Sequence, residues 1–116
     1  MPLDIKIKDV EEVLNQIKEA TLKEIIDEFK NLLKEGLQDN SQFVKDNAKR
    51  LATWTVLLGT KQLTRGQYER LLKDQKSLAE QHVNSVEIAV RARIQKLAYR
   101  VLDIGIDIIG KAVVIG

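Results

Sequence analysis

The chain has 116 residues, of which 44% are hydrophobic and 31% charged, a balance typical of a folded domain rather than a disordered chain. It contains no cysteine and one histidine, which excludes disulfides, cysteine nucleophiles, thiolate metal sites and sites built from paired histidines. The net charge of +2 is unevenly divided: residues 1–40 carry six basic and ten acidic residues, whereas residues 41–116 carry thirteen basic and seven acidic residues. We expect these two parts to attract each other.

Targeting signals are not expected in this chain. The first residues show no apolar run behind a basic start, and no uncharged stretch reaches the ~18 residues of a membrane-spanning helix. Together with the absence of cysteine, this pattern predicts a cytoplasmic protein.

The first predicted element is a helix over about 10–35. Residues 3–7 alternate apolar and polar side chains, so a short extended segment precedes the helix. Asp9 and Glu12 have the spacing of a capping box, and Gly36 is a natural C-terminal stop.

The apolar face of this first helix changes direction by roughly 100° along its length. Thr21 and Glu24 offer a second capping box at the change. The segment is therefore either two helices or one continuous helix that meets different neighbours at its ends. We favour the continuous helix, because no residue in the segment forbids it.

The second predicted helix spans 42–58 and ends at Gly59. Residues 38–41 form a polar turn before it and offer several N-cap candidates, Ser41 among them. A short connection then leads to Thr64 and Gln67, which have the spacing of another capping box. So short a link predicts an antiparallel hairpin between this helix and the next one.

The third predicted helix is very long, over about 65–109, and would extend for about 65 Å. Its apolar side chains recur every three or four residues and form one stripe. The other helices are too short to cover such a stripe, so we interpret it as a packing or oligomer interface. The interface residues are Leu72, Ala79, Val83, Val86, Val90, Ile94, Leu97, Val101, Ile104 and Ile108.

Two features of this long helix stay open. Asn84 and Glu87 could cap a new helix, but the stripe keeps its phase across this point, which favours continuity. Residues 104–116 are rich in β-branched residues and glycine, which disfavour helix. The sequence permits three interpretations of this tail: a helix, a strand or a segment that contacts a membrane.

No residue pattern predicts a catalytic, cofactor or metal site. The densest basic cluster is Arg93, Lys96 and Arg100, a candidate contact for an acidic partner. Asp103 and Asp107 continue its face and dilute its positive field. The charges therefore fit a solvated ladder of ion pairs better than a nucleic-acid groove.

We therefore predict an all-α fold, either a long-helix hairpin or a three-to-four-helix bundle with one very long C-terminal helix. It forms a single helical domain over residues 1–116 with short extended termini, and it associates as a homo-oligomer.

The predicted function is a non-catalytic helical interaction or assembly protein that acts through the apolar stripe, with further copies or another protein as partner. The first alternative is a peripheral membrane protein that uses its apolar C-terminal tail. The second is a nucleic-acid-binding accessory protein. We expect neither enzymatic activity nor a cofactor, and the sequence leaves the partner and the oligomer number open.

Overall fold

The computed structural model describes residues 7–17 and 20–109, and every regular element within these ranges is helical. This confirms the all-α class for the described part. The predicted extended segment over 3–7 lies almost wholly outside these ranges, and so does most of the 104–116 tail. None of the described helices is long and apolar enough to cross a membrane.

Residues 7–17 and 20–109 contain six α-helices and two π-helical stretches. A 3₁₀ turn, Ala20–Leu22, precedes the second helix. The α-helices are α1 (Ile7–Leu14), α2 (Lys23–Leu37), α3 (Gln42–Gly59), α4 (Arg65–Val83), α5 (Ile88–Ile94) and α6 (Val101–Ile104). The first π-helical stretch, Gln95–Arg100, joins α5 to α6, and the second, Gly105–Ile109, extends α6. Together they form one rod, called here the C-terminal segment (88–109).

The predicted continuous helix over 10–35 is wrong. The chain leaves α1 through a tightened turn, in which the amides of Gln16 and Ile17 bond to the carbonyls of Val13 and Leu14 at 3.2 and 3.0 Å. The rotation of the apolar face explains the break. As separate helices, α1 and α2 both direct their apolar faces at α3, which a straight helix could not do.

Two glycines allow helices to approach α3 closely. Gly36 lies inside α2, where a Cβ would stand 2.9 Å from the Cβ of Ala48. At Gly59, where α3 ends, a Cβ would stand 2.5 Å from Cγ1 of Val13. Gly36 therefore serves packing, and α2 continues beyond its predicted end to Leu37.

The predicted Thr64–Gln67 capping box and the hairpin are confirmed, whereas the predicted boxes at Thr21 and Asn84 do not form. The side chain of Ser41 accepts a hydrogen bond from the Val44 amide and so caps α3. Thr64 and Gln67 form the predicted capping box, with bonds of 3.1 and 2.9 Å. The helices are antiparallel, as shown by the cross-contacts Thr55–Tyr68 at 2.9 Å, Arg50–Gln75 at 3.2 Å and Phe43–His82 with ring centroids 4.2 Å apart.

The prediction of one very long C-terminal helix is also wrong. The chain turns between α4 and α5, and the C-terminal segment folds back along α4, where Lys76 donates to Asp103 at 2.7 Å. The new helix begins after Glu87, whose side chain makes no capping hydrogen bond, and Asn84 instead lies at the end of α4. The described structure measures 40 Å in its longest direction, far less than the 65 Å rod would need. Folding back buries both halves of the stripe, which is the physical reason for the turn.

Candidate interaction surface

The predicted stripe forms the centre of the bundle. Of its residues, Leu72, Ala79, Ile94, Leu97, Val101 and Ile104 are buried within the chain, and Val83, Val86 and Val90 are half-buried. The side chain of Ile108 is outside the described set. The expectation that one chain cannot cover this stripe is therefore wrong, because α2, α3 and α4 surround the C-terminal segment. For the half-buried residues Val83, Val86 and Val90, a contact with another chain stays a prediction.

The predicted basic cluster faces α2 and the turn that follows it. Each of its cations meets a carboxylate from the acidic first part of the chain, as the uneven charge predicts. The pairs are Arg93–Asp39 at 3.6 Å, Lys96–Glu35 at 3.2 Å, and Arg100–Glu28 with two bonds of 2.8 Å. The positive charge of this cluster is therefore partly neutralised within the chain.

The strongest of these pairs joins Arg100 to Glu28 in a bidentate arrangement. The hydrogen bond from Arg100 lowers the pKa of Glu28, and the same bond raises the pKa of Arg100. Both side chains are substantially exposed, so the pair orients the C-terminal segment on α2 more than it stabilises the fold.

A second apolar surface lies on the solvent side of α4. Leu63, Leu71, Arg70 and Asp74 line a shallow groove of about 310 Å³, together with Gln67. Leu78 lies two helical turns beyond Leu71 on the same side of α4, and 45% of it is exposed. We call the five residues Leu63, Arg70, Leu71, Asp74 and Leu78 the outer face of α4.

Sequence reasoning missed this surface because charged residues are interspersed among its leucines. The stripe through Leu72 and Ala79 dominates the periodicity of α4, and Leu71 and Leu78 fall beside it. Their seven-residue spacing was a usable signal, since leucines two turns apart share one side of a helix.

The opposite side of α4 is fixed in the core and carries polar groups. The hydroxyl of Tyr68 is fully buried 2.9 Å from Thr55, and burial raises the pKa of this phenol. Gln75 accepts a bond from Arg50, while its amide nitrogen has no partner among the described residues. Both amide atoms of buried Asn47 are likewise without partners in this part of the chain.

Neither a cluster of metal-ligating side chains in the described residues nor a similar known protein indicates a function. Within residues 7–17 and 20–109, no three histidine or carboxylate side chains are grouped closely enough to hold a metal ion. The sequence matched no family model and no curated protein, and the fold matched no solved structure.

Proposed function

We propose that this chain is a non-catalytic helical assembly protein that binds a protein partner through the outer face of α4. The observation that carries the proposal is the apolar groove at Leu63 and Leu71, continued by Leu78 with 45% of its surface in water. Covering this apolar surface is favourable by about 25 cal/mol for each Å² removed from water.

The rigidity of α4 supports this role. A capping box fixes its first turn, and Tyr68, Leu72 and Ala79 are fully buried on its core side. The outer leucines are therefore presented in a fixed order and spacing. Such spacing suits a partner helix laid along α4, with Arg70 and Asp74 as a polar rim.

The proposed interface is therefore not the predicted stripe but another face of α4. The membrane alternative depends on the 104–116 tail, most of which lies outside the described residues. The nucleic-acid alternative depends on Arg93, Lys96 and Arg100, which already meet carboxylates. Both alternatives stay predictions, and neither gains support comparable to the outer face.

The test compares the native mass of the tagged protein in extracts of the cells that make it and of the purified protein at up to about 1 mM, a concentration at which a weak complex still forms. We expect the wild-type chain to elute above the mass of one chain, and the variant Leu71→Glu/Leu78→Glu to elute as a single chain. Ile88→Glu is the matched control, since Ile88 is 81% exposed but lies outside the outer face. It should retain the complex.

Two results would overturn the proposal. The first is a wild-type chain that elutes alone. The second is a complex that survives Leu71→Glu/Leu78→Glu. Circular dichroism of each purified variant checks that the helices are retained.

A further inference from the structure

We infer that the partner on the outer face of α4 is a second copy of this chain, bound through an antiparallel α4–α4 contact. The two-fold axis passes near Leu71. This inference rests on the proposed function and specifies its partner.

The outer face is self-complementary in its apolar residues. In a two-fold contact, residue i of one copy meets residue j of the other, and residue j meets residue i. An axis near Leu71 places this leucine opposite its own counterpart. The same axis places Leu63 close to Leu78 of the second copy, and the contact is repeated on the other side. The leucines of two copies therefore cover each other.

The charges are complementary in the same arrangement. Arg70 and Asp74 lie two residues on either side of Leu72, so an axis at the level of Leu72, about 1.5 Å along α4 from Leu71, places each Arg70 opposite Asp74 of the second copy. Neither side chain forms an ion pair within residues 7–17 and 20–109, which leaves both available for contacts between chains. A parallel two-fold contact would instead place Arg70 and Asp74 on the opposite edge of the interface from their counterparts, where these pairs do not form. The charge pattern thus selects the antiparallel copy.

The size of the surface predicts a weak dimer. With 19 residues, α4 is about 28 Å long. One helix face of this length buries less than the ~800 Å² that each partner buries in a stable interface of standard size. We therefore expect dissociation in the micromolar range or above, and the purified chain should be measured from about 1 μM to about 1 mM.

Cysteine cross-linking tests the geometry directly, because the natural chain contains no cysteine. Under mild oxidation, Leu71→Cys should form disulfide-linked dimers. Leu78→Cys alone should not, since its two copies would stand about 20 Å apart along the helix axes, beyond the reach of a disulfide. Mixing Leu63→Cys chains with Leu78→Cys chains should give linked heterodimers.

The opposite patterns would overturn the inference. If Leu78→Cys links to itself as readily as Leu71→Cys, the helices are parallel. If neither Leu71→Cys nor the mixture gives dimers above the level of the surface control Lys73→Cys, α4 does not contact a second α4.

Charge reversal tests the pairing of Arg70 with Asp74. Arg70→Glu and Asp74→Arg should each weaken dimerisation about tenfold, because each creates two repulsive contacts. The double variant Arg70→Glu/Asp74→Arg should restore it, and the neighbouring reversal Lys73→Glu should leave it unchanged. A double variant as weak as the single ones would contradict the antiparallel contact.

The two proposals fail in different ways. A complex in extracts combined with a purified chain that stays monomeric at every concentration overturns the second copy as partner and leaves the proposed function standing. A complex that survives Leu71→Glu/Leu78→Glu overturns the proposed function itself.

Discussion

The inner and outer faces of α4 have similar leucines but different surroundings. Leu72 on the inner face is fully buried among α3 and the C-terminal segment, whereas Leu78 on the outer face is 45% exposed. The inner leucine contributes to the stability of the chain. The outer leucine adds little to that stability and becomes useful only when another surface covers it.

The difference shows that residue type alone does not separate a core from an interface. Both faces repeat at helical spacing, and both mix apolar with polar residues. What separates them is the chain's own turn after α4, which brings a second helix onto one face and leaves the other open.

The largest expected effect would come from shortening the inner leucine. Leu72→Ala should lower the free energy of unfolding by about 2–5 kcal/mol, because it removes buried methyl groups and leaves a cavity. Leu78→Ala should change it by less than about 0.5 kcal/mol. Urea unfolding of the two variants at a concentration where the chain is monomeric measures both. Equal losses in the free energy of unfolding would contradict the difference between the inner and outer faces of α4.

A second effect concerns the polar groups of the core. Asn47→Leu should raise the free energy of unfolding by about 1–3 kcal/mol, because both buried amide atoms lack partners among the described residues. Asn40→Leu, at an exposed position, is the control and should not stabilise the chain. Thermal unfolding compares the variants, and a destabilised Asn47→Leu would show that this amide has a partner.

Tyr68 allows a test by pH. Its phenol loses a proton near pH 10 in the unfolded chain but retains it in the fold, because burial raises its pKa. Unfolding therefore releases a proton above pH 10, and stability should fall there by up to about 1.4 kcal/mol per pH unit. Tyr68→Phe should remove this slope and lose about 1 kcal/mol at neutral pH with the Thr55 hydrogen bond.

Tyr99→Phe is the matched control for this alkaline slope. Burial also raises the pKa of Tyr99, but this side chain is only half-buried, so its removal should change the slope less. A slope that persists unchanged in Tyr68→Phe would mean that its phenol is accessible to solvent.

The smallest effect is expected at the edge between the two faces. Lys76 donates to Asp103 at 2.7 Å, with about a third of its side chain exposed. Lys76→Met should therefore lower the free energy of unfolding by less than about 1 kcal/mol, and less still at high salt. Urea unfolding at two salt concentrations provides the measurement. A larger loss would place this pair among the determinants of the fold.

Local signals in the sequence predicted what depends on a few neighbouring residues. Ser41 and the pair Thr64 and Gln67 cap their helices because their side chains reach backbone amides three residues away, a distance fixed by helix geometry. The short link before Thr64 likewise determined the antiparallel hairpin. The attraction between the acidic and basic parts followed from their counts of charged residues.

Tertiary structure decided where the long helices break and which faces are covered. At Thr21 and near Asn84, the sequence allowed both a continuous helix and a break, because the local propensities differ little. Packing resolved both cases: α1 and α2 converge on α3, and the C-terminal segment returns along α4.

The sequence by itself therefore determined a helical chain with the caps of α3 and α4, its hairpin and its complementary charges, because these depend on residues close in sequence or on summed charge. Only the tertiary structure determined that the stripe through Leu72 is internal, that Leu71 is half-buried and that Leu78 is exposed. The physical reason is that burial depends on residues distant in sequence, whose positions the turn after α4 determines.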